Sequence, residues 1–186
     1  LMEAGKANRL PHALLFTGPE GMGKSQFARQ LSSYLLCNNP NDAGNPCGNC
    51  RGCQLLAAGT HSDLKHILPE EPGKAIKIDV IREFTEKESL TSMAGGYKIN
   101  IIEPADALNT AAANSLLKTL EEPVDWTLMI LISAKPNRLP ATIRSRCQSY
   151  PFTPPPRDEA VAWLAPQSKG ADPKLLLSLA MGAPIR

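Results

Sequence analysis

No stretch of this sequence reaches the roughly 18–20 consecutive apolar residues that a membrane-spanning helix requires. Nor does Leu1–Pro11 carry the apolar segment of a secretory signal. One-signed charge is lacking as well: the formal net charge is +2, so global electrostatics gives no reason to expect nucleic acid or an anionic membrane as a partner. No internal repeat is visible, which excludes an array of stacked units. What remains is the composition of an ordinary globular protein, 42% hydrophobic and 20% charged over 186 residues. That length suffices for one sizeable core and a small second unit. The chain opens on Leu1 and stops at Arg186 within a helical pattern, and it is expected to be a piece of a longer, cytoplasmic protein.

Short apolar runs alternate with longer stretches of helical period. Ala13–Thr17, Leu64–Leu68, Tyr97–Glu103, Thr127–Ser133 and Gln148–Phe152 read as strands. Helices are expected at Lys24–Leu36, Arg51–Ala58, Ile78–Leu90, Asn109–Glu121 and Pro140–Ser145, the fourth stopped by Pro123 and the last with Pro140 in its first turn. In the third, Ile78, Ile81, Phe84 and Thr85 fall at helical spacing. Tyr97–Glu103 is nearly all apolar, as suits a strand covered on both faces. The alternation predicts an α/β fold over residues 1–153, a parallel sheet with helices on both faces. Pro154, Pro155 and Pro156 fit neither a central strand nor a helix interior and form a stiff linker. Residues 154–186, with helical patterns at Asp158–Ala165 and Pro173–Met181, then read as the start of a small helical domain.

Gly18-Pro19-Glu20-Gly21-Met22-Gly23-Lys24-Ser25 matches G-x-x-x-x-G-K-[ST] between an expected strand and an expected helix, the context that gives the motif its meaning. Glycines at Gly18, Gly21 and Gly23 let successive backbone N–H groups turn toward one anion, and the helix N-terminus adds partial positive charge. Lys24 is placed for the β- and γ-phosphates of a nucleotide such as ATP, and the Ser25 hydroxyl for Mg²⁺. Hydrolysis needs more: an acidic residue at the end of a neighbouring strand for the magnesium and a second carboxylate to activate water. Glu103 fits the first role, but Pro104 stands where the second is expected. Asp106 offers either a substitute carboxylate or a cap for the following helix. The pocket reads as one that holds nucleotide and is poorly equipped to cut it.

Residues 37–53 lose all periodicity and fill with Cys, Asn, Gly and Pro. Cys37, Cys47, Cys50 and Cys53 form a C-x9-C-x2-C-x2-C pattern. Cysteines two residues apart turn both thiolates toward one ion, and four complete a tetrahedral shell for Zn²⁺ with no open position, so the metal is expected to be structural. Free thiols are one alternative; disulfides, the other, are disfavoured in an α/β chain of this size without a secretory signal. Cys147 stands apart and reads as a buried apolar residue. Arg146 and Arg144, by spacing alone, read as surface ion-pairing residues.

Together the loop GPEGMGKS, the four-cysteine insertion after its helix, the stretch Asn114–Pro123 (NSLLKTLEEP) and Leu139–Cys147 ending in Ser-Arg-Cys resemble the bacterial clamp-loader AAA+ family of DNA polymerase III, and within it the delta-prime branch. The resemblance covers nearly the whole chain. It implies a five-subunit ring, with gamma/tau and delta subunits as neighbours, that opens a sliding clamp and places it on primed DNA using ATP bound between subunits. It implies that Arg146 reaches across an interface to a neighbour's γ-phosphate as an arginine finger, and that Cys37, Cys47, Cys50 and Cys53 bind zinc. The branch's motor relatives carry Asp-Glu where this chain has Glu103-Pro104, and the phosphate loop, often degraded in the delta-prime branch, is intact here. The position expected to sense a γ-phosphate falls on Ser133 or Ala134, and alanine is unfit for it. The family pattern continues past Arg186 into a fuller helical lid and a collar domain, and begins about twenty residues earlier. Three functions follow: a mainly structural ring subunit lending Arg146, an ATP-hydrolysing motor of the same ring, or a zinc-bearing nucleic-acid binder. The last is weakest, because Asn38–Arg51 is short of basic and aromatic residues.

Overall fold

In the computed structural model, which describes residues 1, 4–5, 9–41, 43–88, 96–168 and 171–185, the five apolar runs become the strands of one sheet. They are β1 (Ala13–Thr17), β2 (Leu64–Ile67), β3 (Lys98–Ile102), β4 (Thr127–Ser133) and β5 (Gln148–Pro151). The order across the sheet is β2-β3-β4-β1-β5, and every pairing is parallel. Every residue of β3 and β4 is buried, which is why neither run alternates with polar residues: helices cover both of their faces.

The helices are α1 (Lys24–Leu35), α2 (Arg51–Ala57), α3 (Ile78–Glu88), α4 (Thr110–Glu121), α5 (Ala141–Arg144), α6 (Arg157–Leu164) and α7 (Pro173–Leu179). Successive strand side chains point to opposite faces, and two cores result. Leu14, Phe16, Ile101 and Ile130 pack with Ala28 and Leu31 of α1 on one face. Leu15, Ile102, Met129 and Leu131 pack with Ile81 of α3 and with Leu116 and Leu120 of α4 on the other. Burying one such Leu, Ile or Phe stabilises by about 1.5–3 kcal/mol, so the two-faced sheet is the framework that fixes its loops.

Boundaries agree with the sequence reading to within a residue or two, with local reasons where they differ. Asn109 caps α4, its side chain accepting from the Ala112 N–H at 2.7 Å; Asp106 lies in a preceding 3-10 turn, Ala105–Ala107, and does not serve as that cap. Pro140 takes an extended conformation just before α5. Strand β5 stops at Pro151, yet the Phe152 N–H still reaches the Thr17 carbonyl at 2.7 Å. Residues 89–90 of the third expected helix, and the side chains of Phe84 and Thr85, lie outside the described residues. Residues 152–156, holding the three prolines, have no regular structure. Among the described residues no helix is long and apolar enough to cross a membrane.

After the prolines, α6 and α7 pack on each other, and the chain returns to the sheet, where the Ile185 N–H donates to the Gly21 carbonyl at 3.1 Å. The outer side of α7 and the turn after it leave Leu175, Leu179 and Met181 largely exposed.

Candidate functional site

Parallel strands bring the polar residues that follow them to one edge. The C-terminal end of β1 runs into Gly18–Ser25, that of β3 into Glu103, and that of β4 into Ser133–Lys135. In open α/β sheets this is the edge where ligands bind. Here it borders a cavity of 590 Å³ lined by Lys24, Ser25, Arg29, Glu103, Asp106 and Lys135 among others. The loop's shape depends on Gly18, which has a φ of 136° and would drive a β-carbon to within 2.1 Å of the Phe152 carbonyl oxygen; only glycine fits both constraints.

Lys24 is buried, and its ammonium donates to the Gly18 and Pro19 carbonyls, each at 2.6 Å. Burial holds its pKa below the ordinary lysine value, against the opposing pull of Glu103, Glu20 and Asp106. The Ser25 hydroxyl donates to Glu103 Oε1, so the two residues expected to share a magnesium ion are already in contact. The other oxygen, Oε2, accepts from His66 Nε2 at 3.2 Å. That bond, ahead of the contact with Ser25, holds the Glu103 carboxyl below its usual range despite partial burial.

Asp106 does something the sequence did not disclose. Its Oδ1 accepts from the Ser133 hydroxyl at 2.6 Å and from the Ala134 and Lys135 N–H groups at 3.1 and 3.4 Å. The carboxylate thereby ties the turn after β4 to the turn after β3, and the Ser133 hydroxyl, one of the two expected sensing groups, is spent on that tie. His66 was likewise missed. Its only sequence signal is a polar residue near the end of the strand beside β3, where the register pairs it with Ile101, two residues before Glu103.

The four cysteine sulfurs of residues 37, 47, 50 and 53 lie within 4.8 Å of one another. Cys37 and Cys50 are 3.9 Å apart, as are Cys47 and Cys53. Four thiolates about 2.3 Å from one tetrahedral centre stand roughly 3.8 Å from each other, whereas a disulfide needs about 2.05 Å; none of the cysteines is disulfide-bonded. Backbone N–H groups aim at the sulfurs, Cys47 N to Cys37 Sγ at 3.2 Å and Cys53 N to Cys50 Sγ at 3.4 Å. Such bonds favour the thiolate: Cys50 is lowered to about 6, chiefly by the Cys53 N–H, while burial pushes Cys53 up to about 12. The donor set and spacing fit a tetrahedral metal ion. Cys147 is apart, partly buried against the core, its thiol pushed up to about 12 by burial.

Arg146 is paired, as its spacing suggested. Its Nη2 lies 2.6 Å from Glu121 Oε1, and Nη1 donates to the Thr142 carbonyl at 2.9 Å. It stands two residues ahead of Gln148, which pairs with Leu14, and so at the sheet's N-terminal edge. With about 3.3 Å of rise per strand residue, the four steps from Leu14 to Gly18 alone put roughly 13 Å between the level of Gln148 and the phosphate loop, and Arg146 lies beyond Gln148 on the far side.

The sequence profile of the family described as "DNA polymerase III, delta subunit" matches residues 1–156. The chain is similar to DNA polymerase III subunit delta' of Escherichia coli (strain K12), 42% identical over 183 residues, covering 98% of this chain and 54% of that protein. It is similar to the subunit delta' of Pseudomonas aeruginosa, 43% identical over 177 residues, covering 94% of this chain and 54% of that protein. Among solved structures it resembles a DNA polymerase III gamma subunit-related protein from Thermotoga maritima, with a TM-score of 0.61 at 22% identity, covering 86% of this chain and 48% of that one; that likeness is one of fold. The chain spans about half the length of the curated relatives it matches.

Proposed function

The chain belongs to the DNA polymerase III delta-prime family, and from that premise we propose that it is a mainly structural clamp-loader subunit that lends Arg146 to a nucleotide site on a neighbouring subunit. The observation that carries this reading is the separation of its two charged stations. Lys24 and Ser25 lie at the C-terminal edge of the sheet, Arg146 at the N-terminal edge, so Arg146 is far beyond reach of a phosphate held by its own loop. A cation so placed acts on another subunit's nucleotide. There a planar, permanently charged guanidinium stabilises the charge on a transferring phosphoryl group.

Within the chain, Gly18, Gly21, Gly23, Lys24 and Ser25 would hold the phosphates of ATP, and Ser25 with Glu103 the magnesium. Bound there, the nucleotide would supply the phosphoryl group and the metal would neutralise its charge, while the position after Glu103 offers no carboxylate to activate water, being Pro104, and Asp106 commits its Oδ1 to the turn after β4. Cys37, Cys47, Cys50 and Cys53 would hold one structural zinc. The neighbours in this reading are gamma/tau and delta subunits, with the sliding clamp and primed DNA met through the assembled ring in the cytoplasm. Residues 1–153 are the AAA+ domain and 154–186 the first part of the helical lid.

The second reading, a motor subunit that hydrolyses ATP itself, is favoured by the intact phosphate loop alone. ATPase assays on the full-length chain, by itself and in the reconstituted ring, separate the two. Arg146→Ala is expected to slow the ring by about an order of magnitude or more, whereas Lys24→Ala leaves most ring turnover intact. Brisk hydrolysis by the isolated chain, or an equal collapse with Lys24→Ala, would select the motor.

A further inference from the structure

One stretch singled out by the sequence, NSLLKTLEEP, has no part in the nucleotide pocket, and its glutamate Glu121 is the residue that Arg146 touches. The placement is electrostatically odd. Glu121 is the last residue of α4 and Glu122 its C-cap, so two carboxylates sit at the negative end of the helix dipole, where acidic side chains are disfavoured. Lys118 in the last turn offsets only part of this. The Glu121–Arg146 pair does not repay the cost in stability either, because the two side chains are 50% and 35% exposed and pairs in water contribute next to nothing.

What the arrangement does is bias a guanidinium toward one direction. The carboxylate takes Nη2 while the Thr142 carbonyl takes Nη1, so both terminal nitrogens are tied to the chain that carries them. The helix that carries the carboxylate is itself fixed: Leu116 and Leu120 bury α4 against the sheet, and His12 Nε2 bonds the Leu120 carbonyl at 3.0 Å. An arginine left free would lose its rotamer freedom on meeting a phosphate; one already seated loses less. We propose that Glu121 is the positioning residue of Arg146, presenting the guanidinium in a fixed direction at the sheet's N-terminal edge. This rests on the reading of Arg146 as a finger acting in trans.

The test is a double-mutant cycle in the reconstituted ring with full-length subunits. Glu121→Gln is expected to lower kcat for ATP hydrolysis roughly tenfold with KM unchanged. Glu121→Asp should restore part of it, and thermal unfolding of the chain should stay put. In an Arg146→Ala background Glu121→Gln should do nothing more. Wild-type or raised turnover in Glu121→Gln, or an equal loss with Arg146 already removed, would overturn the positioning role while leaving the finger intact. Unchanged turnover in Arg146→Ala itself would remove the finger, and the proposal with it. Arginine ¹⁵N spectra of the chain alone give a second readout: hindered guanidinium rotation at Arg146 that Glu121→Gln releases supports the seat, and equal rotation in both overturns it.

Discussion

At Gly52 a β-carbon would stand 2.3 Å from the Leu36 carbonyl oxygen and 3.5 Å from Asn38 Oδ1. The first helix turn of the cysteine module is pressed that closely onto the end of α1, and a backbone atom cannot swing aside as a side-chain tip can. Gly52→Ala is therefore expected to destabilise the chain by about 1–3 kcal/mol, the range for overpacking a tight site, read as a lowered midpoint in urea. Because Gly52 lies directly before Cys53, the same variant should bind zinc more weakly in a competition with a colorimetric chelator. In sequence Gly52 looks like one more turn-former between cysteines. Its real constraint is the approach of Leu36, sixteen residues earlier in the chain, which no local pattern encodes.

Among the elements, β3 contains an inconsistency: Asn100 is fully buried in the centre of the strand, and among the described residues neither its Nδ2 nor its Oδ1 has a hydrogen-bond partner. An unpaired buried amide costs about 1–3 kcal/mol, and valine suits a buried strand. Asn100→Val is expected to raise stability by about 1 kcal/mol, seen as a higher urea midpoint at unchanged slope. All five strands and the helices between them were legible in the sequence, because continuous apolar runs and helical spacing are local properties. So were the phosphate loop and the cysteine cluster, whose members lie close along the chain. What was not legible are the pairs that the topology makes: His66 on Glu103, Asp106 on Ser133, Glu121 on Arg146. Each joins side chains that lie on, or in the turns after, separate strands and helices, and spacing along one element says nothing of what another brings to its end.

For the molecule as a whole, the cysteine module is an appendage with a foothold. Leu36 joins the core on the α1 face and Leu56 packs against it, while among the described residues the module's own interior gathers the four cysteine sulfurs. If zinc supplies that interior, a strong chelator should lower the thermal midpoint and release one equivalent of metal while the far-ultraviolet dichroism of the sheet survives; loss of the entire fold would mean that the module nucleates the sheet. A different connection runs through the phosphate loop. Gly18 lies pressed against the Phe152 carbonyl, where the chain leaves the sheet for the prolines, and Gly21 accepts from Ile185, where it comes back. The helical segment between is thus hitched at both ends to the same eight residues. Anything that reshapes those residues pulls on two reins at once, and swinging the helices would in turn tug on the grip beneath them.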